Sequence, residues 1–252
     1  MTPWIIANVE VAIAYIRPIC KENKKMKKMF LVILSLTATI GFSACNNKLD
    51  VIGDQSIKSF DAVLSTVSDQ VVEDNTYGGW SLEAPDGTAR FVWSEDFSKT
   101  TTNDIFLEFD AQPFIDAGLD TSKLPEGMYV GDKIIVGTEL GSDALTYTSE
   151  ATPLESYKKI VELYRKNITY HMALDHYGVD LMQGNMFEWA KDMTKNDKDI
   201  VFVLNPQVFI GAGVDPSSVE GWVFAKVETM DEKGKDIEVD KFLKPFELDG
   251  KQ

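Results

Sequence analysis

The chain has 252 residues, 44% of them hydrophobic, and a net charge of −15 from 40 acidic and 25 basic side chains. That acidity excludes a general nucleic-acid binder, whose affinity comes from neutralising phosphates with lysine and arginine. Two cysteines exclude a disulfide-dense scaffold, so stability has to come from a hydrophobic core, for which the chain is long enough.

Residues 1–25 fit no processing pattern. Trp4 to Ile16 is apolar, but Glu10 interrupts it and Arg17-Pro18 stops it, too soon for a membrane span. Translation is therefore expected to start at Met26. From there Met26-Lys27-Lys28-Met29 is basic, Phe30 to Ile40 is apolar and too short to cross a bilayer, and Phe42-Ser43-Ala44-Cys45 is a small-residue site ending in cysteine. Residues 26–44 resemble a bacterial lipoprotein signal peptide with its lipobox, a resemblance confined to this segment. It implies that Cys45 carries a diacylglyceryl group and becomes the mature N-terminus, which would anchor the protein in the cell envelope on the extracytoplasmic side. Asn46 stands where an aspartate, in proteins of this kind, signals retention at the inner membrane, so the expected location in a two-membrane cell is the outer membrane.

The segment 1–44 holds six Lys/Arg and two Asp/Glu, and its removal takes the net charge from −15 to −19 over 208 residues. Such a domain has no polybasic grip on anionic lipid, leaving the acyl chains as the membrane attachment. With Cys20 removed and Cys45 acylated, no thiol is left, and no cofactor motif is present. Residues 45–55 are polar and read as a tether.

The folded part begins near Ser56. Ile57, Phe60, Val63, Leu64, Val67 and Val71 recur at the spacing of one helix face, and the same spacing returns 97 residues later at Leu154, Tyr157, Ile160, Val161, Tyr164 and Ile168. The second helix has a clear start, since Thr152-Pro153-Leu154-Glu155 reads as a capping box with proline at the first helical position. Gly78 and Gly178 are the expected stops. Hairpins follow: one turns at Asp86-Gly87, its counterpart at Gly184-Asn185, and Phe91 and Trp93 match Phe187 and Trp189 at an offset of 96.

The repeat is clearest at residues 104–122 and 199–217, where nine of nineteen positions are identical against about one expected by chance. Each copy opens on a nearly unbroken apolar run, Ile105 to Phe109 and Ile200 to Leu204, read as a strand buried on both faces. A short helix capped by Asp110 or Asn205 follows, closed by Gly118 or Gly213 at positive φ, with a further turn capped by Asp120 or Asp215. A hairpin around Gly131-Asp132, or residues 222–248, completes each unit. The expected fold class is α+β and internally duplicated: two helix-on-antiparallel-sheet units, residues 56–150 and 151–252, related by a pseudo-twofold axis.

Candidate sites are few. Trp93 and Trp189, with Phe91 and Phe187, could line a cleft for a ligand, but their presence in both copies favours a core role. His171, Asp175 and His176 occur only in the second copy, where the first has Asp74, Gly78 and Gly79. Read as the end of a helix, His171 and Asp175 are four apart and share a face, a spacing that suits a metal pair or an imidazole oriented by a carboxylate, or else a histidine at a helix C-terminus. Ser156 to Lys159 matches an S-x-x-K spacing without its companion elements, and is rejected as a serine nucleophile. The expected function is a non-catalytic domain that binds a ligand or a protein partner, without a cofactor. The alternatives are a hydrolase or metal-dependent enzyme centred on His171 and Asp175, and a structural envelope component.

Overall fold

The computed structural model describes residues 41–76, 78–94, 105–138, 152–171, 174–191, 193, 199–230 and 235–246. Residues 1–40, with most of the signal segment, lie outside them. The first unit comprises helix α1 (Gly41–Thr66), strands β1 (Val71–Asp74), β2 (Gly79–Glu83), β3 (Ala89–Ser94) and β4 (Ile105–Asp110), helix α2 (Gln112–Asp116), and strands β5 (Tyr129–Val130) and β6 (Lys133–Thr138). The second repeats it with α3 (Pro153–Leu163), β7 (Ile168–His171), β8 (His176–Asp180), β9 (Met186–Ala190), β10 (Ile200–Leu204), α4 (Gln207–Gly211), β11 (Val223–Met230) and β12 (Asp236–Phe246). Both sheets are six-stranded and antiparallel, and their orders, β1-β2-β3-β4-β6-β5 and β7-β8-β9-β10-β12-β11, are the same. The α+β class and the duplication are thus both present.

Equivalent residues meet their counterparts, which defines the pseudo-twofold axis. Phe91 stacks on Phe187 with centroids 4.1 Å apart and planes 4° from parallel. Phe60 packs on Tyr157 at 4.1 Å, and Phe114 on Phe209 at 4.9 Å. At the far end the backbone is reciprocal: Asp120 N donates to Ala212 O at 2.9 Å, and Asp215 N donates to Ala117 O at 2.8 Å. Gly118 and Gly213, at φ +103° and +107°, lie against each other there. Only a pair of chains crossing without side chains fits this spacing.

The two units share one core rather than keeping one each. The inner faces of both sheets, the long helices and Phe114 and Phe209 form a single buried cluster. Each long helix also reaches across to the other unit's sheet. Ser59 on α1 accepts from Trp189 Nε1 at 3.1 Å and donates to Lys191 O at 3.3 Å, while Tyr177 Oη donates to Gln55 Oε1 at 3.1 Å. On α3, Pro153 O accepts from Trp93 Nε1 at 3.2 Å, and Ser156 Oγ donates to Ser94 O. Ser156 is therefore a buried crosslink between units. Strands β4 and β10 are buried on both faces over Ile105 to Phe109 and Ile200 to Leu204, as their composition requires.

Several boundaries differ from expectation. The helices end at Thr66 and Leu163, and Val71 and Ile168 start strands instead of closing a helix face. Inward-facing strand residues at these positions happen to continue the three-and-four spacing, so periodicity alone could not find the helix end. Gly78 lies in the β1–β2 turn at φ +70°, and Gly178 lies inside β8. Residues 45–55, read as a tether, are helical. Gly53 is buried, its α-carbon face directed at Val161 and Arg165, because the buried face of α1 continues backwards through Ser56 and the partly buried Ile52. Ala111 and Pro206, not Asp110 and Asn205, occupy the N-cap positions of α2 and α4; Asp110 pairs with Lys133, although Asn205 Oδ1 still accepts from Gln207 N at 3.1 Å.

The capping box is present as expected. Thr152 Oγ1 accepts from Glu155 N at 3.3 Å, and Glu155 Oε2 accepts from Thr152 N at 3.1 Å. Thr152→Ala should lower stability by about 1 kcal/mol, measured by denaturant unfolding. Thr152→Ser should restore most of it, and an equal loss in both variants would contradict a capping role.

Candidate functional site

The cross-strand pairing of β7, β8 and β9 brings the two histidines together on the outer face of the second sheet. His171 pairs with His176 across β7 and β8, and Glu188 of β9 lies diagonally beside both. His171 Nδ1 is 3.2 Å from Glu188 Oε1, and His176 Nδ1 is 3.8 Å from Glu188 Oε2. Glu188 and His176 are buried, while the His171 side chain is 40% exposed. Gly178 leaves the room for this: a Cβ there would stand 2.9 Å from Thr169 Oγ1 and 3.3 Å from Glu188 Cγ.

Burial by itself would push the Glu188 carboxyl up, but His171 and His176 outweigh it and hold it at about 2. Its hydrogen bond in turn raises His171. Glu188 is thus an ionised carboxylate inside the protein, with the imidazoles of β7 and β8 beside it. The first unit has Asp74, Gly79 and Val92 at these positions, so the carboxylate at the centre belongs to the second copy alone.

Asp175 does not join this cluster, contrary to expectation. It is exposed in the β7–β8 turn at φ +54°, where Tyr170 donates to its carboxylate and Lys191 Nζ lies 3.5 Å away. The segment is a hairpin, not a helix terminus, so residues four apart do not share a face. Glu188 was the residue to find; in strand terms it is twelve residues beyond His176 with its side chain on the same face, a relation visible only once the hairpin is assumed. Among the described residues, no group of three or more His, Cys, Asp and Glu side chains is placed to hold a metal ion. The Thr169 hydroxyl, two residues from His171, donates to Gly178 O at 3.4 Å rather than to an imidazole.

The aromatic pair is core. Trp93 and Trp189 are fully buried, with their indole nitrogens donating to α3 and α1, and line no cleft. The first sheet carries a different outer-face cluster: Arg90 Nη1 lies 2.7 Å from Asp74 Oδ2 and Nη2 2.8 Å from Glu108 Oε1 as ion pairs, and Nε donates to Glu108 Oε1 at 2.9 Å. Beside it is a cavity of about 200 Å³ lined by Glu83, Thr88, Arg90, Glu108, Phe109 and Lys133, among others. That is small for a ligand pocket, and its two cations are already paired with carboxylates. No family model matches the chain, and no curated protein or solved structure is significantly similar to it.

Proposed function

We propose that the protein is a cell-envelope lipoprotein, anchored through Cys45, whose duplicated domain binds a partner without catalysing a reaction. The observation that carries this reading is the order of basic residues, apolar run, small residues and cysteine over residues 26–45. No described helix is long and apolar enough to cross a membrane, and this reading assigns the attachment to the acyl chains on Cys45. Arg90 is engaged by Asp74 and Glu108 on one outer face and Glu188 by His171 on the other, and the large aromatic side chains Trp93 and Trp189 are buried in the core. These features favour contact through a surface over turnover of a small molecule.

Intact mass of the mature N-terminus tests the anchor. A diacylglyceryl adduct on Cys45 is the expected result, and an unmodified Cys45 or an uncleaved signal would overturn it. Crosslinking of the lipoprotein in its native envelope tests the second half, with a discrete partner band expected and hydrolysis of any substrate by the purified domain contradicting it.

A further inference from the structure

The two sheets end in outer hairpins of different length. In the first unit β5 and β6 form two residue pairs, Tyr129 with Ile134 and Val130 with Lys133. In the second, β11 and β12 form eight, from Val223 with Leu243 to Met230 with Asp236. Strand β10 pairs only with residues 242–246 of β12, so residues 225–230 and 236–241 pair with each other and with no third strand among the described residues. They form a two-stranded arm that extends past the end of β10, and a hairpin with no further strand beside it is marginally stable in water. Strand β11 is also the last strand of its sheet, so its other edge is free.

Side chains alternate between the two faces of this arm. On one face Val227 pairs with Val239 and Thr229 with Ile237, and Val227 packs against the buried group of Val201, Val203, Ala225 and Leu243. On the other Lys226 pairs with Asp240, Nζ lying 3.3 Å from Oδ1, while Glu228 stands opposite Glu238. Like charges directly opposite each other cost stability in a sheet, so Glu228 stands where a further cation would be welcome. Lys226 remains 61% exposed despite its ion pair, and Glu228 and Thr229 are exposed beside it.

We propose that the free edge of β11 pairs antiparallel with β11 of a second copy of this chain, about a twofold axis through Val227. In that register Lys226 stands opposite Glu228 of the second copy, Glu228 opposite its Lys226, and Val227 meets Val227. Moving the axis one residue either way sets Lys226 or Glu228 against itself. Charged side chains on an edge strand ordinarily discourage pairing, but spaced as Lys226-Val227-Glu228 they discourage the neighbouring registers and favour this one. The other carboxylates of this face, Asp236, Glu238 and Asp240, lie a strand further away, about 10 Å from the facing strand, where salt screens them. The pairing joins the second sheets of two copies edge to edge. It goes beyond the anchor at Cys45 and does not depend on it.

Val227→Cys in the full chain tests this, with the unsubstituted chain, whose own cysteines are Cys20 and Cys45, as the reference. After oxidation in detergent extracts with copper phenanthroline, non-reducing electrophoresis should show a homodimer, and mass spectrometry a disulfide between two copies of the substituted peptide. Thr229→Cys, on the same face, should not link, because its mate would lie about 14 Å away along the facing strand, beyond disulfide reach. Lys226→Cys and Glu228→Cys, both at exposed sites, should link to each other in coexpressed chains more than either links to itself. Added to Val227→Cys, Lys226→Glu should lower the linked fraction about fivefold through the loss of two opposed charge pairs, and Lys226→Glu with Glu228→Lys should restore it. Absence of linkage both at Val227→Cys and between the Lys226→Cys and Glu228→Cys chains overturns the pairing, as does linkage to a different protein instead. Equal linkage at Thr229→Cys, or a charge exchange that restores nothing, overturns the register and with it the proposal.

Discussion

Gly213→Val should destabilise the protein by about 3 kcal/mol or more, among the largest effects of any single substitution in this fold. Two causes add. At φ +107° a β-branched residue is strained, and a Cβ there would stand 2.9 Å from the Gly118 carbonyl oxygen, a backbone atom in the stretch pinned on either side by the hydrogen bonds of Ala117 O and Asp120 N. Gly118→Val should behave alike, since its Cβ would stand 2.8 Å from Gly213 O. Gly131→Val is the control: φ is +67°, but nothing lies within 4 Å of its Cβ, so only the backbone strain of about 1 kcal/mol applies. Denaturant unfolding of the three variants separates the causes. If Gly213→Val costs no more than Gly131→Val, the chains do not cross tightly at the axis.

Glu188→Gln should lower stability by about 2 kcal/mol near pH 6 and by less as the pH rises. Glu188 sits at about 2 in the fold against an ordinary 4.5, so its contribution is present above 4.5 and is lost as the pH falls towards 2. His171 is raised above its ordinary 6.5, so its share is complete below 6.5 and is lost as the pH rises through the folded value. The pair therefore stabilises most between pH 4.5 and 6.5. The part of His171 that is exposed to solvent keeps the histidine share small, about 1 kcal/mol. His171 is raised by its contact with Glu188, so a fall in Tm between pH 6 and pH 8 reports that contact. The fall should be present in the unmodified protein and flattened in Glu188→Gln; parallel curves would show that the His171 imidazole and the Glu188 carboxylate are not coupled.

Much of the fold was legible before the structure. The repeat equates Trp93 with Trp189 and Gly118 with Gly213, and both pairs occupy matching environments, because two copies of one sequence pattern bury the same faces. The capping box at Thr152, the turns at Asp86-Gly87 and Gly131-Asp132, and the strands buried on both faces are all local signals, and local signals survive in a sequence read residue by residue.

What failed was whatever depended on a cross-strand partner rather than on spacing within one segment. Where α1 and α3 end is decided by Val71 and Ile168 pairing with Leu82 and Val179 in a sheet, an event that helical spacing cannot foresee. Asp175 looked like the companion of His171 because four residues span a helix turn; a hairpin turns its carboxylate away and puts Glu188 in its place. The sequence by itself determined the duplication, the strand and turn chemistry and the acidic, thiol-free character of the chain after Cys45. Only the tertiary structure decided that the halves share one core, that each long helix reaches the other half's sheet, and which carboxylate the histidines meet. The contacts between the halves, such as Trp93 to Pro153 and Trp189 to Ser59, join residues 60 and 130 positions apart, and their energy comes largely from burying aromatic faces against one another, which no single segment encodes.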